Sequence, residues 1–186
     1  MNKLMKLAFA AFVFLSANLA YAQMEKTVEV GGAPMYPSKN IVENAVNSAD
    51  HTTLVAAVKA AGLVETLQGA GPFTVFAPDN AAFEKLPKGT VETLLKPENK
   101  PQLVAVLTYH VVAGKMGSKE IAAAIKKGSG KATLTTVQGG KLTAWMKGKE
   151  LYITDENGGQ SKVTIADVWQ SNGVIHSVDT VVLPKM

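Results

Sequence analysis

Apolar residues recur at helical spacing in the first half of the chain and at strand spacing in the last third. Ile41, Val42, Ala45 and Val46 share one helical face, and Leu54, Val55, Val58 and Ala61 share another. Asp50 stands where an N-cap for the second helix belongs, and Gly62 where its stop belongs. Phe73 to Ala77 reads as a short buried strand closed by Pro78, and Asp79 can cap a helical turn running through Phe83. Thr90 opens a short helix that stops before Pro97. Pro101 suits a first helical position, with Leu103, Val104 and Leu107 giving that helix its apolar face. Ser118 is the expected cap of a helix carrying Ile121, Ala124 and Ile125, closed by Gly128.

Strands follow. Lys131–Val137, Lys141–Met146, Leu151–Asp155, Lys162–Val168 and Val174–Leu183 are separated by Gly139-Gly140, Lys147-Gly148, Asn157-Gly158 and Asn172-Gly173. Leu142, Ala144 and Met146 share one face, and Leu151 and Ile153 share another. A meander-like antiparallel block behind a helical block predicts an α+β fold.

The N-terminus has a different pattern. Lys3 and Lys6 precede an apolar run, Leu7 to Leu15, and Ala20-Tyr21-Ala22 completes the layout of a signal peptide cleaved after Ala22. The run is short for a membrane span. A second apolar run, Val174 to Leu183, is interrupted by His176 and Asp179, and without Cys no lipid can be attached at a lipobox. The expectation is therefore an exported protein, periplasmic or secreted, with no transmembrane or lipid anchor in its mature chain. Residues 23–38, with Gly31, Gly32, Pro34 and Pro37, read as a flexible arm or edge segment whose Met35-Tyr36 pair docks on the body. Residues 39–186 form the domain.

Composition narrows the chemistry. With 47% apolar and 18% charged residues, the chain is no disordered segment. All 19 basic residues are Lys, and neither Arg nor Cys occurs. Lacking the bidentate guanidinium fork, the protein is a poor reader of nucleic acid. Lacking Cys, it has no disulfide, thiolate metal site or cysteine nucleophile. Removing residues 1–22 leaves 17 Lys against 15 acids, nearly neutral, so no strong overall funnel for polyanions is implied.

No catalytic signature emerges. G-x-S-x-G and H-E-x-x-H are absent. Gly128-Ser129-Gly130-Lys131-Ala132 lacks the upstream Gly and the Ser or Thr of a phosphate loop. Asp155-Glu156 reads as a solvated turn rather than a calcium site. Of the three His, His51 is expected to be exposed at a helix start. His110 enters a strand and His176 alternates with Val174 and Val178, so both are expected to be structural. His176 and Asp179, three apart in a strand, point to opposite faces and make no catalytic pair. No metal, cofactor or enzymatic activity is expected.

Three blocks then become recognisable. Thr74-Val75-Phe76-Ala77-Pro78-Asp79-Asn80-Ala81-Ala82-Phe83, Tyr109-His110, and Asn172-Gly173-Val174-Ile175-His176-Ser177-Val178-Asp179-Thr180-Val181-Val182-Leu183-Pro184 resemble, in order and spacing, the signature blocks of the fasciclin domain. The likeness runs from about Ile41 to Pro184. It implies a wedge-shaped β-sandwich of about seven strands with several helices packed toward one side. It also implies a secreted or surface protein that acts by interaction, commonly cell adhesion. Thr74, Phe76, Pro78, Asn80, Phe83, Tyr109, His110, Asn172, Gly173, His176 and Asp179 carry the signature, in structural or adhesive roles. Asp79 stands where many relatives have Thr, and either can cap. Asp167-Val168 matches the Asp-Ile pair implicated, with the Tyr-His region, in integrin contact in animal relatives. With Trp169 it is the candidate partner contact, together with the arm; the other reading of this corner is an ordinary strand-edge loop with Trp169 folded over the core.

The function expected is an exported, non-catalytic interaction module contacting a cell-surface protein or polysaccharide. One domain with one site cannot bridge two surfaces, so either it oligomerises or a partner holds it. The alternative is a small-molecule or lipid carrier using an apolar groove between sheet and helices.

Overall fold

The computed structural model describes residues 26–185. The signal segment and the cleavage point after Ala22 lie outside the described residues. The elements are β1 (Val28–Val30), β2 (Ala33–Met35), α1 (Ile41–Ala45), α2 (Thr52–Ala61), α3 (Val64–Gln68), β3 (Phe73–Pro78), α4 (Asn80–Glu84), α5 (Thr90–Leu94), α6 (Lys100–Tyr109), β4 (Val111–Ala113), α7 (Ser118–Lys127), β5 (Lys131–Thr135), β6 (Lys141–Lys147), β7 (Glu150–Thr154), β8 (Gln160–Gln170) and β9 (Gly173–Val178). Short 3₁₀ turns occupy Ala49–His51 and Pro97–Asn99.

β5 to β9 form the expected antiparallel meander. The sheet then continues through β3 and β4, in the order β4-β3-β9-β8-β7-β6-β5. β3 runs parallel to β9, pairing Phe73 with Gly173 through Pro78 with Val178. A bridge between Val112 and Thr136 joins the two ends, so the seven strands curl into a nearly closed wedge. The fold class is α+β.

Two apolar clusters fill it. One lies between the helices α1–α6 and the strands β3, β8 and β9, and includes Ile41, Leu54, Phe83, Leu107 and Val168. The other lies inside the curled sheet beneath α7. There Ile121 and Ile125 meet Leu134, Leu142, Ala144 and Ile153. Ordinary punctuation sets the helix ends. Gly62 takes φ +73° and closes α2, a conformation that a side chain resists. Asp79 accepts from Ala82 N–H at 2.7 Å and caps α4.

Five local expectations need correction. The segment 23–38, read as a flexible arm or an edge segment with Met35-Tyr36 docked, forms the β1–β2 hairpin over its described part, with Val30 and Met35 buried in the core; Met35 is buried as docking requires, so the flexible alternative is the one that falls. The last strand stops at Val178, not Leu183, because Asp179 bends away to accept from Lys162 N–H at 2.9 Å. Asp50 does not cap α2. That task falls to Asn80, whose Oδ1 accepts from Thr53 N–H at 3.0 Å and Thr52 Oγ1 at 3.1 Å, and whose Nδ2 donates to Ala49 O at 2.9 Å. Ser118 is the first residue of α7, not its cap. Its N–H and hydroxyl both donate to the Asp167 carboxylate, so the capping oxygen comes from another strand. Finally, His51 is 2% exposed, not a surface residue.

No helix among the described residues is long and apolar enough to cross a membrane.

Candidate functional site

The signature residues lie together along the β3–β9 seam and the chain segments tied to it; the polar groups of Thr74, Tyr109, His110, Asn172 and His176 point inward, while Asn80 is half-buried and Asp179 partly exposed. Thr74 Oγ1 donates to Gly114 O at 2.7 Å and accepts from Met116 N–H at 2.9 Å. Asn172 is the knot of the seam. Its Nδ2 donates to Leu67 O and Gly69 O, both at 2.8 Å, and its Oδ1 accepts from Ile41 N–H at 3.0 Å. Gly173 is needed for close approach. A Cβ there would stand 2.3 Å from Phe73 O and 2.9 Å from Ile41 Cδ1. Phe83 is buried at the far end of this block.

Tyr109 and His110 serve different elements. The Tyr109 ring is fully buried in the cluster under α7. Its hydroxyl donates to Lys141 O at 2.7 Å and accepts from Glu156 N–H at 3.2 Å. Burial pushes its pKa up to about 12. His110 turns the other way and ties the end of α6 to the C-terminal segment. Val182 N–H donates to Nε2 at 3.1 Å, so the proton sits on Nδ1 and is donated to Val106 O at 2.8 Å. Burial lowers the His110 pKa to about 4, against the opposing pull of the Val106 carbonyl and Asp155.

His176 stacks on Phe76 with ring centroids 5.6 Å apart. Asp167 N–H donates to its Nδ1 at 3.3 Å, and its Nε2–H donates to Met116 O at 2.9 Å. His51 lies between Ser48 Oγ at 3.0 Å and Ser177 Oγ at 3.1 Å. Burial lowers the pKa of both imidazoles. Asp179 is partly exposed. Burial raises its pKa, but the Lys162 N–H, the Thr180 hydroxyl and Lys85 outweigh it and hold the carboxyl below its usual value.

Asp155, read from sequence as a solvated turn residue, is instead buried. Its carboxylate accepts from the N–H groups of Asn157, Gly159 and Leu183 at 2.9, 2.7 and 3.0 Å. Among the described residues no group of three or more His, Asp or Glu side chains is placed to hold a metal ion.

The candidate contact Asp167–Val168–Trp169 separates into three roles. Asp167 sits in a bulge of β8 with φ +61° and caps α7. Val168 is fully buried, so its side chain is not part of any surface. Trp169 is 38% exposed, with Lys115 Nζ 5.3 Å from its ring centroid. It borders a cleft of about 440 Å³ formed by Lys26 and Val28 of the hairpin region, Lys119 and Glu120 of α7, and Ala166. A second cleft, apolar and of about 80 Å³, lies between α1–α3 and the strands β3 and β4. Ile41, Leu54, Leu67, Val75 and Ile175 line it.

A sequence reading also misses the buried amide pair Asn44–Gln170, in which Asn44 Nδ2 donates to Gln170 Oε1 and to Tyr36 O. Its one signal is Asn44 itself, a polar residue three positions after Ile41 on the apolar face.

Comparison with known proteins places this geometry. The family model of the fasciclin domain matches residues 49–184. The chain is 44% identical over 182 residues to the Synechocystis protein sll1483, covering 96% of this chain and 94% of that one. It is 36% identical over 122 residues to the cell surface glycolipoprotein MPB83 of Mycobacterium bovis, covering 66% of this chain and 48% of that one. Among solved structures, a FAS1 domain pair from the insect cell adhesion molecule Fasciclin I superposes with a TM-score of 0.70 at 16% identity. That match covers 86% of this chain and 58% of that one. The sequence blocks, the curled sheet with its helices and these matches agree: the chain belongs to the fasciclin domain family.

Proposed function

We propose that the protein is an exported, non-catalytic interaction module that works in cell-surface or extracellular-matrix adhesion, through protein or polysaccharide contacts. The observation that carries this reading is the division of labour at the signature. The polar groups of Thr74, Tyr109, His110, Asn172 and His176 are all engaged inside the fold, while Trp169 stands partly out of it beside an open cleft. Aromatic anchors of that kind dominate binding energy at interfaces. The likeness to a cell surface glycolipoprotein and to a cell adhesion molecule supports the same reading. Export through cleavage after Ala22, into a periplasm or beyond the cell, belongs to the proposal. N-terminal mass mapping of exported protein should begin at Gln23; retention of Met1 would remove that part.

Adhesion itself is tested with beads carrying the protein, presented to cells of the source organism. Trp169→Ala should reduce bead retention at least tenfold while the protein stays folded, with an unchanged far-ultraviolet circular dichroism spectrum. Unchanged retention would place the contact elsewhere.

The apolar cleft favours a second reading, a carrier of small apolar molecules or lipid. Its volume of about 80 Å³ is roughly half that of a cavity that admits benzene. A lipid would therefore require α1–α3 to part from the sheet. Native mass spectrometry of freshly isolated protein decides between the two: an acyl-bearing adduct supports the carrier, and bare protein counts against it.

A further inference from the structure

Charge is distributed unevenly along this nearly neutral chain. Between Lys115 and Lys162 there are nine lysines and four acidic residues; the rest of residues 23–186 has eight lysines and eleven acidic residues. The fold gathers part of that excess on one surface. In β5, β6 and β7 side chains alternate strictly. Ala132, Leu134, Leu142, Ala144, Leu151 and Ile153 face the core, and α7 packs on that inner side. Their neighbours therefore face outward.

Strand register arranges these outward residues in rows. Lys131 pairs with Trp145, Trp145 with Tyr152, and Tyr152 with Lys162, giving a row with an aromatic centre and a lysine at each end. The next row is Thr133, Thr143, Thr154 and Gln160, all hydroxyl or amide. Lys141 and Lys147 stand at the two ends of β6. Glu150 pairs with Lys162 and accepts from the Tyr152 hydroxyl at 2.9 Å, and the Asp179 carboxylate borders the same end of the row, accepting from Lys162 N–H at 2.9 Å. Trp145 and Tyr152 stack at 4.9 Å, and the indole N–H is held by Thr154 Oγ1 at 2.9 Å. Lys131, Lys141 and Lys147 belong to neither ion pair found among the described residues.

We infer that this sheet face binds a linear acidic polysaccharide. The carboxylates or sulfates of the chain meet Lys131, Lys141 and Lys147, and its sugar rings lie against the Trp145–Tyr152 pair and the threonine row, while Lys162 is held by Glu150. Charge complementarity sets the sign of the partner. Spacing sets its form: Lys131 and Lys162 are three strands apart, roughly 14 Å, and Lys141 and Lys147 are roughly 20 Å apart along β6. Charges so dispersed suit a polymer rather than a single ion. Chemistry sets its class. Threonine hydroxyls both donate and accept, as sugar hydroxyls require. An acidic protein fits less well, because lysine is depleted and apolar area enriched at the centre of protein interfaces. A membrane fits less well, because the face has no aliphatic side chains to insert. The inference rests on the reading of the protein as an interaction module. It supplies the second contact that bridging requires, since Lys162 and Trp169 lie on the order of 20 Å apart along β8.

The experiment is a titration of the purified protein, followed by isothermal calorimetry, with polygalacturonate and dextran sulfate. Neutral dextran, duplex DNA, polyglutamate and phosphatidylglycerol vesicles are run in parallel. Expected are saturable binding to at least one acidic polysaccharide at low salt, no binding to neutral dextran, and weaker binding to the other three polyanions. Lys131→Glu combined with Lys147→Glu should weaken that binding at least tenfold, and Trp145→Ala several-fold. Lys88→Glu combined with Lys96→Glu, the same charge change on another surface, should leave it unchanged. No binding to either acidic polysaccharide overturns the inference. So does equal loss in both double variants, or preference for DNA, polyglutamate or vesicles. The bead assay on Trp169→Ala is independent: loss of sheet-face binding with Trp169-dependent retention intact sinks this inference alone, and the reverse sinks the Trp169 contact alone.

Discussion

His110 shows most clearly how single residues hold this protein. Its ring is buried, both nitrogens are satisfied, and its pKa is lowered to about 4 while the unfolded chain keeps the ordinary value near 6.5. Between those two values the unfolded state binds the extra proton. Folding stability is therefore complete above pH 6.5 and falls as pH drops through that window. His51 and His176, lowered in the same direction, add to the slope. Urea unfolding from pH 7.5 down to pH 4.5 should show stability falling by roughly 1.4 kcal/mol per pH unit for each imidazole that titrates. A flat profile would mean that the rings are not held neutral. Tyr109 works with the opposite sign. Its folded pKa lies above the unfolded value, so its stabilisation is present below pH 10 and lost as pH rises toward 12. Asn172→Ala should be the most costly of the polar truncations. It strands Ile41 N–H, Leu67 O and Gly69 O together, and about 3 kcal/mol or more should be lost in denaturant melts.

Elements in this fold are short, and two of the helices are capped across the chain, α2 by Asn80 and α7 by Asp167, while α1 and α4 carry the local caps Asn40 and Asp79. α7 begins without a local cap, and Asp167, 49 residues later, supplies the oxygen. Asp167→Ala should therefore cost about 1 kcal/mol and loosen α7 as well as β8, seen as faster amide exchange in both. Asp79→Ala removes a local cap of similar worth, about 1 kcal/mol. Phe83→Ala beneath it should cost about 3 kcal/mol or more. This scale also explains what was legible in the sequence. The helices around Leu54, Leu103 and Ile121 and the strands from Lys131 onward announce themselves through periodicity and Gly/Pro punctuation, which are local signals. The parallel β3–β9 pairing, the Asn80 cap of α2 and the burial of His51 depend on residues 27 to 126 positions away. No window of sequence contains both partners. Asp50 and Ser118 read as caps because their types and positions fit, yet a remote oxygen reaches each helix start first.

At the scale of the molecule, the wedge keeps most of its family signature inside and leaves two chemically different surfaces outside. The signature blocks identify the fold because they build the seam, and for the same reason they say little about the partner. The surface residues that differ in character, Trp169 at the open cleft and the lysine-flanked Trp145–Tyr152 row, lie outside those blocks. Of the triplet singled out by resemblance, Trp169 alone combines exposure with an open cleft. The central claim is that binding occurs through these outer faces. The most direct measurement is site-specific photo-crosslinking in cells of the source organism, with the reactive side chain placed at position 169, at position 133 on the sheet face, and at position 88 as a reference. The account predicts discrete adducts from 169 and from 133, differing from each other, and none from 88. Identical adduct patterns at all three positions, or none at 169 and 133, would contradict it.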